Sequence, residues 1–199
     1  MMSAGAQDDF RLDRADVVVL FAHLQPAIVA NSGVLSPKLI EAGAAALAEA
    51  AAILELPMLF SLVPRDDGDA APLAKLAPYA KDDNSFVRRV ASPFMDEQFV
   101  AALAATGRRT LVIAGYSTEA ITLFTALDAL AAGYRVIIAL DAGGARCSRT
   151  EAAALRRIER AGAIASSVIG VVMGCAPEFG RSPDQEAFAA VQKLLAIRD

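Results

Sequence analysis

Tryptophan is absent from this chain, histidine occurs once and cysteine twice, and aromatic residues make up only 6% of the 199 positions. The two cysteines, Cys147 and Cys175, provide neither a disulfide framework nor the paired spacing of a metal-binding motif. No apolar run approaches the roughly 20 residues of a membrane-crossing helix. The start, MMSAGAQDDF, has neither a basic stretch nor an apolar signal core, so a reduced cytoplasmic setting is expected. No basic cluster is present and the net charge is −4, which argues against nucleic acid as a partner.

Hydrophobic residues are plentiful, at 55% against 21% charged, as in a globular protein rather than a disordered one. Abundant alanine with few aromatics suits close packing of helices on a sheet. The length allows one well-buried domain. No internal repeat is evident.

Residues 109–128, RTLVIAGYSTEAITLFTALD, organise the chain. An apolar run, Leu111-Val112-Ile113-Ala114, has the composition of a buried parallel strand. Gly115 permits a tight turn. Ser117 or Thr118 is placed to cap the helix that follows, with Glu119 near its positive end. Ala120, Leu123, Phe124, Leu127 and Ala131 recur at helical spacing and predict its core-facing stripe. Such a strand–turn–helix unit is where open α/β sheets place binding sites.

Further strands are predicted over residues 16–21, 58–63, 134–140 and 163–168, with a short extended piece at 86–90. Helices are predicted over 37–54, 96–106 and 150–161, the last capped by Thr150. Residues 64–84, containing Pro64, Pro72 and Pro78, read as a surface excursion suited to a lid. The alternation predicts a three-layer α/β, Rossmann-like fold around a parallel sheet of about six strands. The ends of its first and fourth strands should meet at the topological switch, turning His23 and the 116–121 turn towards one crevice. This domain is assigned to residues 1–175. Residues 176–199 form a linker and an amphipathic helix bearing Phe188, Val191, Leu194 and Leu195, which packs on its own domain or on a neighbouring subunit.

These residues resemble the isochorismatase-like cysteine hydrolase family. The likeness is strongest over residues 111–128 and continues through Gly133-Tyr134, Asp141-Ala142 and Arg160-Ala161-Gly162-Ala163. The family's fourth strand enters a turn close to G-V-V-T-E-V-C-V, and here the turn reads Gly115-Tyr116-Ser117-Thr118-Glu119-Ala120-Ile121-Thr122. The resemblance implies hydrolysis of C–N bonds in small amides or, in one subgroup, of the isochorismate ether bond. The amidases of the family use a cysteine nucleophile, an aspartate base and a supporting lysine.

Carried onto this chain, the nucleophile position falls on Ile121 and the aspartate of a D-x-Q motif on His23, with Gln25 retained. The lysine position falls on Arg88, with Arg89 as its alternative. The histidine-rich metal site of nicotinamidases has no counterpart after the second strand, so neither a metal nor another cofactor is expected. Tyr116, Ser117 and Thr118 join Gln25 as pocket candidates. The resemblance also places a non-proline cis peptide at Ser117–Thr118 or the bond beside it. Cys147, in the loop after the fifth strand, is read as a small loop or packing residue rather than a relocated nucleophile, and Asp141 as a residue that orders its loop.

Three readings remain open at this stage. The chain is a family member without cysteine-hydrolase activity that binds a small molecule in the remnant pocket. Alternatively it is a hydrolase of rearranged chemistry using His23 and Arg88, or a structural protein acting through assembly. Self-association into a dimer or a larger homo-oligomer is expected in each.

Overall fold

Six consecutive buried residues form strand β1 (Val17–Ala22), and the same all-buried pattern recurs in β4 (Thr110–Gly115). Strands covered by helices on both faces need apolar side chains at every position, which is what these segments supply. In the computed structural model, which describes residues 11–64 and 70–197, the two strands pair in parallel from Val17 beside Thr110 to Ala22 beside Gly115. On one side β1 pairs with β2 (Met58–Leu62), which pairs with the edge strand β3 (Ser85–Val87). On the other, β4 pairs with β5 (Arg135–Ala139) and then with β6 (Ile164–Ser166). The order β3-β2-β1-β4-β5-β6 is that of a doubly wound sheet of six parallel strands, with its switch between β1 and β4.

A one-turn helix, α1 (Pro26–Val29), follows β1. Helices then cover the two faces. Val17, Val19, Phe21 and Phe60 point into one core with α2 (Pro37–Ile53), α6 (Val168–Cys175) and α7 (Asp184–Gln192). Phe21 and Phe60 stack there at 5.2 Å. Val18, Leu20, Leu111 and Ile113 point the other way, against α3 (Glu97–Ala105), α4 (Leu123–Ala131) and α5 (Ser148–Arg160). Alternate residues of each central strand thus serve opposite cores. Of the tail positions, Val191 is buried with Ala187 and Ala190, Phe188 and Leu194 pack partly against the same core, and Leu195 is exposed.

Several local expectations need correction. The buried face of α4 and the turn before it comprises Thr118, Ile121, Thr122, Leu123, Thr125, Ala126 and Ala129. Ala120, Phe124 and Ala131 of the expected stripe are exposed, and Leu127 is half-buried. The segment is apolar nearly all round, so periodicity could not choose the face, and its first turn is a π-turn (Thr118–Thr122) that shifts the helical phase. Thr150 lies within α5, whose N-cap position is Cys147. Helix α6 replaces the end of the predicted last strand. Its β-branched residues suit a strand, but Ser167 accepts a hydrogen bond from the Gly170 amide and caps a helix instead. The 64–84 excursion is pinned at its middle. Leu73 and Leu76 are buried, and the Leu73 amide donates to the Leu24 carbonyl at 2.7 Å. Residues 65–69 of that excursion lie outside the described residues.

Helix α2 starts at Ser36, whose hydroxyl accepts from the Leu39 amide, with Pro37 in the first turn. Gly43 brings this helix against the loop after β5, where an added Cβ would collide with the Asp141 carbonyl. Alanine would gain about 1 kcal/mol in helix propensity, but overlap with backbone cannot be relieved by a side-chain rotation. Gly43→Ala is therefore expected to lower stability by about 1–3 kcal/mol in urea denaturation, and a stabilised variant would contradict this packing.

Candidate functional site

The switch point fixes the site through backbone first. Ala22 lies beside Gly115, and the Tyr116 amide donates to the Ala22 carbonyl at 3.1 Å. A Cβ on Gly115 would lie 2.9 Å from Thr122 Oγ1 and 3.2 Å from Ala22 Cβ, so glycine lets the two strand ends and the π-turn close together. His23 then leaves β1 with φ of 56°, a left-handed conformation that turns the chain sharply. Its amide donates to the Ser61 carbonyl at 2.8 Å, tying the turn to β2.

Gln25 is fully buried and bonded at both ends of its amide. Its Nε2 donates to the Val63 carbonyl at 3.0 Å, and its Oε1 accepts from the Val63 amide at 2.8 Å. It therefore clamps the chain leaving β2, and its polar atoms are spent on that contact rather than turned to a pocket.

Arg88 continues the ladder beyond β3, its amide donating to the Leu62 carbonyl at 3.0 Å. The side chain is 5% exposed, whereas Arg89 is exposed. Its Nη1 donates to the Val90 carbonyl at 2.7 Å and its Nη2 lies 3.4 Å from His23 Nε2. His23 and Arg88 thus converge. Burial, and then the neighbouring guanidinium, lower the His23 pKa to about 4. Burial lowers that of Arg88 to about 10, partly opposed by Asp96. At neutral pH the pair is an uncharged imidazole beside a cation.

Across the switch, the non-proline cis peptide lies between Tyr116 and Ser117, one bond before the Ser117–Thr118 position. The expected caps are not formed. Ser117 makes no side-chain capping bond, and its carbonyl instead accepts from the Thr122 amide at 3.3 Å. The Thr118 hydroxyl donates across to the Gly144 carbonyl at 3.1 Å and approaches Glu151 at 3.4 Å. Thr118 therefore binds the turn to the β5–α5 loop, while Ser117 closes the turn on itself. Tyr116 is buried, and burial together with Glu119 pushes its phenol pKa up. The 116–121 turn was expected to face the crevice, but Ile121 at its end is only 2% exposed and packs in the core with Ala22, Leu123 and Ala126. The π-turn supplies the reason, since it rotates residue 121 inward.

The remaining candidates lie elsewhere. Cys147 is exposed, and its thiol pKa is lowered chiefly by the Thr150 hydroxyl at 3.3 Å. Burial pushes the Cys175 thiol up to about 12. Asp141 accepts from the Val168 amide at 2.7 Å, holding the start of α6 to the β5–α5 loop. No cluster of three or more metal-ligating side chains occurs among the described residues. None of their helices is long and apolar enough to cross a membrane.

Ser61 was missed by the sequence reading. It is fully buried, and its hydroxyl has no partner among the described residues. The available signal was a lone polar residue inside the apolar strand Met-Leu-Phe-Ser-Leu.

A doubly wound sheet with a turn-and-helix site at its switch defines a Rossmann-like α/β protein. Residues 19–169 match the family model described as the Isochorismatase domain, and the chain belongs to the isochorismatase family. A sequence relative is the probable hydrolase YcaC of Escherichia coli K12, 29% identical over 163 residues, 81% of this chain and 78% of that protein. Among solved structures, YcaC from Pseudomonas aeruginosa, carrying hexane-2,5-diol and covalent acrylamide, superposes with a TM-score of 0.86. It is 26% identical, and the match covers 98% of this chain and 95% of that one. Escherichia coli YcaC, described as an octameric hydrolase of unknown specificity, gives 0.83 at 26% identity, covering 94% of this chain and 89% of that one.

The partly buried histidine sets a pH dependence of stability. With a folded pKa of about 4 against an ordinary 6.5, the imidazole at pH 7 is neutral in the folded state and mostly neutral in the unfolded one. As pH falls from 6.5 to about 4, only the unfolded chain takes up the proton, so stability is lost over that window. The loss from this group is of the order of 2–3 kcal/mol. His23→Asn, which tolerates positive φ, is expected to remove that component when urea denaturation at pH 7 and pH 4.5 is compared. An unchanged pH dependence would contradict the burial of a neutral imidazole.

Proposed function

We propose that this protein is a homo-oligomeric isochorismatase-family member that binds a small molecule at the switch-point crevice without hydrolysing it. The observation that carries the reading is Ile121. The family's nucleophile position falls on this residue, and its side chain packs in the core at 2% exposure. An aliphatic group forms no acyl intermediate, and loss of a nucleophile alone costs several orders of magnitude in turnover.

At the aspartate position stands His23, whose Nε2 faces the Arg88 guanidinium. A guanidinium only donates, so that nitrogen's lone pair is directed at Arg88 and the tautomer carries its proton on Nδ1. The arrangement positions the ring and weakens it as a base. Arg88 Nε and Ser61 Oγ are among the buried polar atoms at this end of the sheet that have no partner among the described residues, which favours a ligand over a closed packing role. Assembly is supported by octameric Escherichia coli YcaC and by exposed apolar side chains at Val87, Met95 and Phe124.

The convergence of His23 and Arg88 favours a second reading, in which His23 activates water and Arg88 stabilises the oxyanion. A pKa near 4 leaves such a base poorly matched to neutral pH. Incubation of the purified full chain with nicotinamide, short aliphatic amides and isochorismate separates the two. No turnover above the uncatalysed rate is expected, together with a solution mass several times that of one chain. Turnover that disappears in His23→Ala would overturn the non-hydrolytic reading.

A further inference from the structure

Arg88 holds a positive charge in a buried position without a carboxylate partner among the described residues. Asp96 acts on it electrostatically, but its Oδ1 caps α3 through the Gln98 and Phe99 amides at 2.9 and 3.3 Å and forms no ion pair with Arg88. A buried charge is normally paired because its desolvation is otherwise uncompensated. Of the guanidinium's nitrogens, Nη1 is committed to the Val90 carbonyl, Nη2 makes only the 3.4 Å contact with His23, and Nε has no partner. That contact is longer than the usual range for a nitrogen donor, so it is readily exchanged for a stronger one. The Nε–Nη2 edge presents two parallel N–H donors, the spacing that matches the two oxygens of a carboxylate.

The surroundings select further. Ser61 Oγ is fully buried and unpartnered. Ser61 pairs with Phe86, and it points to the face of the sheet that carries Leu59, two residues before it. Arg88, two residues beyond Phe86 on the continuing ladder, leaves from that same face. The guanidinium edge and a hydroxyl therefore stand on neighbouring strands, on the face where the partly buried ring of Phe86 packs against the apolar core. His23, beside the guanidinium, is only partly buried.

We propose that the ligand of this crevice is a small monocarboxylate with an apolar tail, gripped by the Nε–Nη2 edge of Arg88 and hydrogen-bonded by Ser61. The inference rests on the non-hydrolytic binding role above and assigns its ligand class. One guanidinium matches one negative charge. A neutral amide of the same shape lacks the charge and offers only one acceptor oxygen to the two donors.

His23 is the chain's single histidine, so its imidazole resonances are unambiguous in an NMR titration. Isobutyrate and isobutyramide, added separately to the full-length protein at constant pH and ionic strength, test the assignment. Isobutyrate is expected to shift the His23 resonances saturably, with half-saturation on the order of 1 mM. Isobutyramide should bind at least about tenfold more weakly, Arg88→Gln should weaken isobutyrate by a similar factor, and Ser61→Ala should weaken it a few-fold. No saturable shift with isobutyrate, or equal affinity for acid and amide in the native protein, overturns the carboxylate assignment while leaving the non-hydrolytic reading in place. Conversion of isobutyramide to isobutyrate would overturn the non-hydrolytic reading itself.

Discussion

The close approach of Ala22 and Gly115 is the constraint on which the rest of the site depends. Two fully buried strands run side by side for six residues and end together, and the missing side chain at Gly115 leaves room for Thr122 and Ala22. Once those ends are flush, the chain after β1 must turn sharply at His23 and the chain after β4 must enter a tight π-turn. A parallel sheet makes the switch between β1 and β4 the place where helices diverge to opposite faces, so both turns border one crevice. Nothing in this geometry requires a particular chemistry. It supplies a position, and the side chains at that position decide what is done there.

Those side chains divide into groups that hold the scaffold and groups left with spare bonding capacity. Gln25 clamps Val63 through both ends of its amide, and Thr118 joins the π-turn to Gly144. Asp141 does the same for the start of α6. Arg88 and Ser61 differ, because each is buried with a polar atom that nothing satisfies. In a low-dielectric interior such atoms cost more than they contribute unless something else meets them. His23 stands between the two groups. Its backbone is fixed by Ser61, its ring contacts Arg88, and its low pKa follows from burial beside a cation.

The strands were legible because a parallel sheet buried on both faces demands continuous apolar runs, and residues 17–22, 58–62 and 110–115 provide them. The meeting of His23 with the Tyr116 turn followed from topology alone. Helix faces were less legible. Phe124 and Leu127 are as apolar as the residues that are buried, and a π-turn leaves no periodic trace, so the α4 stripe and the inward rotation of Ile121 could be read only from coordinates. Hydroxyl groups misled in the same way. Ser117 and Thr118 have the right chemistry for a cap, but the β5–α5 loop brings the Gly144 carbonyl within reach of Thr118 and wins it. Helix α6 was hidden by its β-branched composition. The proximity of Arg88 to His23, 65 positions apart in the chain, arose from the β2–β3 ladder and not from any local pattern.

The central claim is that residue 121 belongs to the core and not to an open nucleophile position. An Ile121→Cys variant in a Cys147→Ser, Cys175→Ser background tests this most directly, through the rate at which a small thiol reagent labels it in the folded protein. Cys147 in the native protein serves as the exposed reference. Core placement predicts labelling limited by local or global opening, roughly a thousandfold or more slower than Cys147. Labelling of Cys at 121 as fast as Cys147 would contradict the account, because the position would then be open to the crevice.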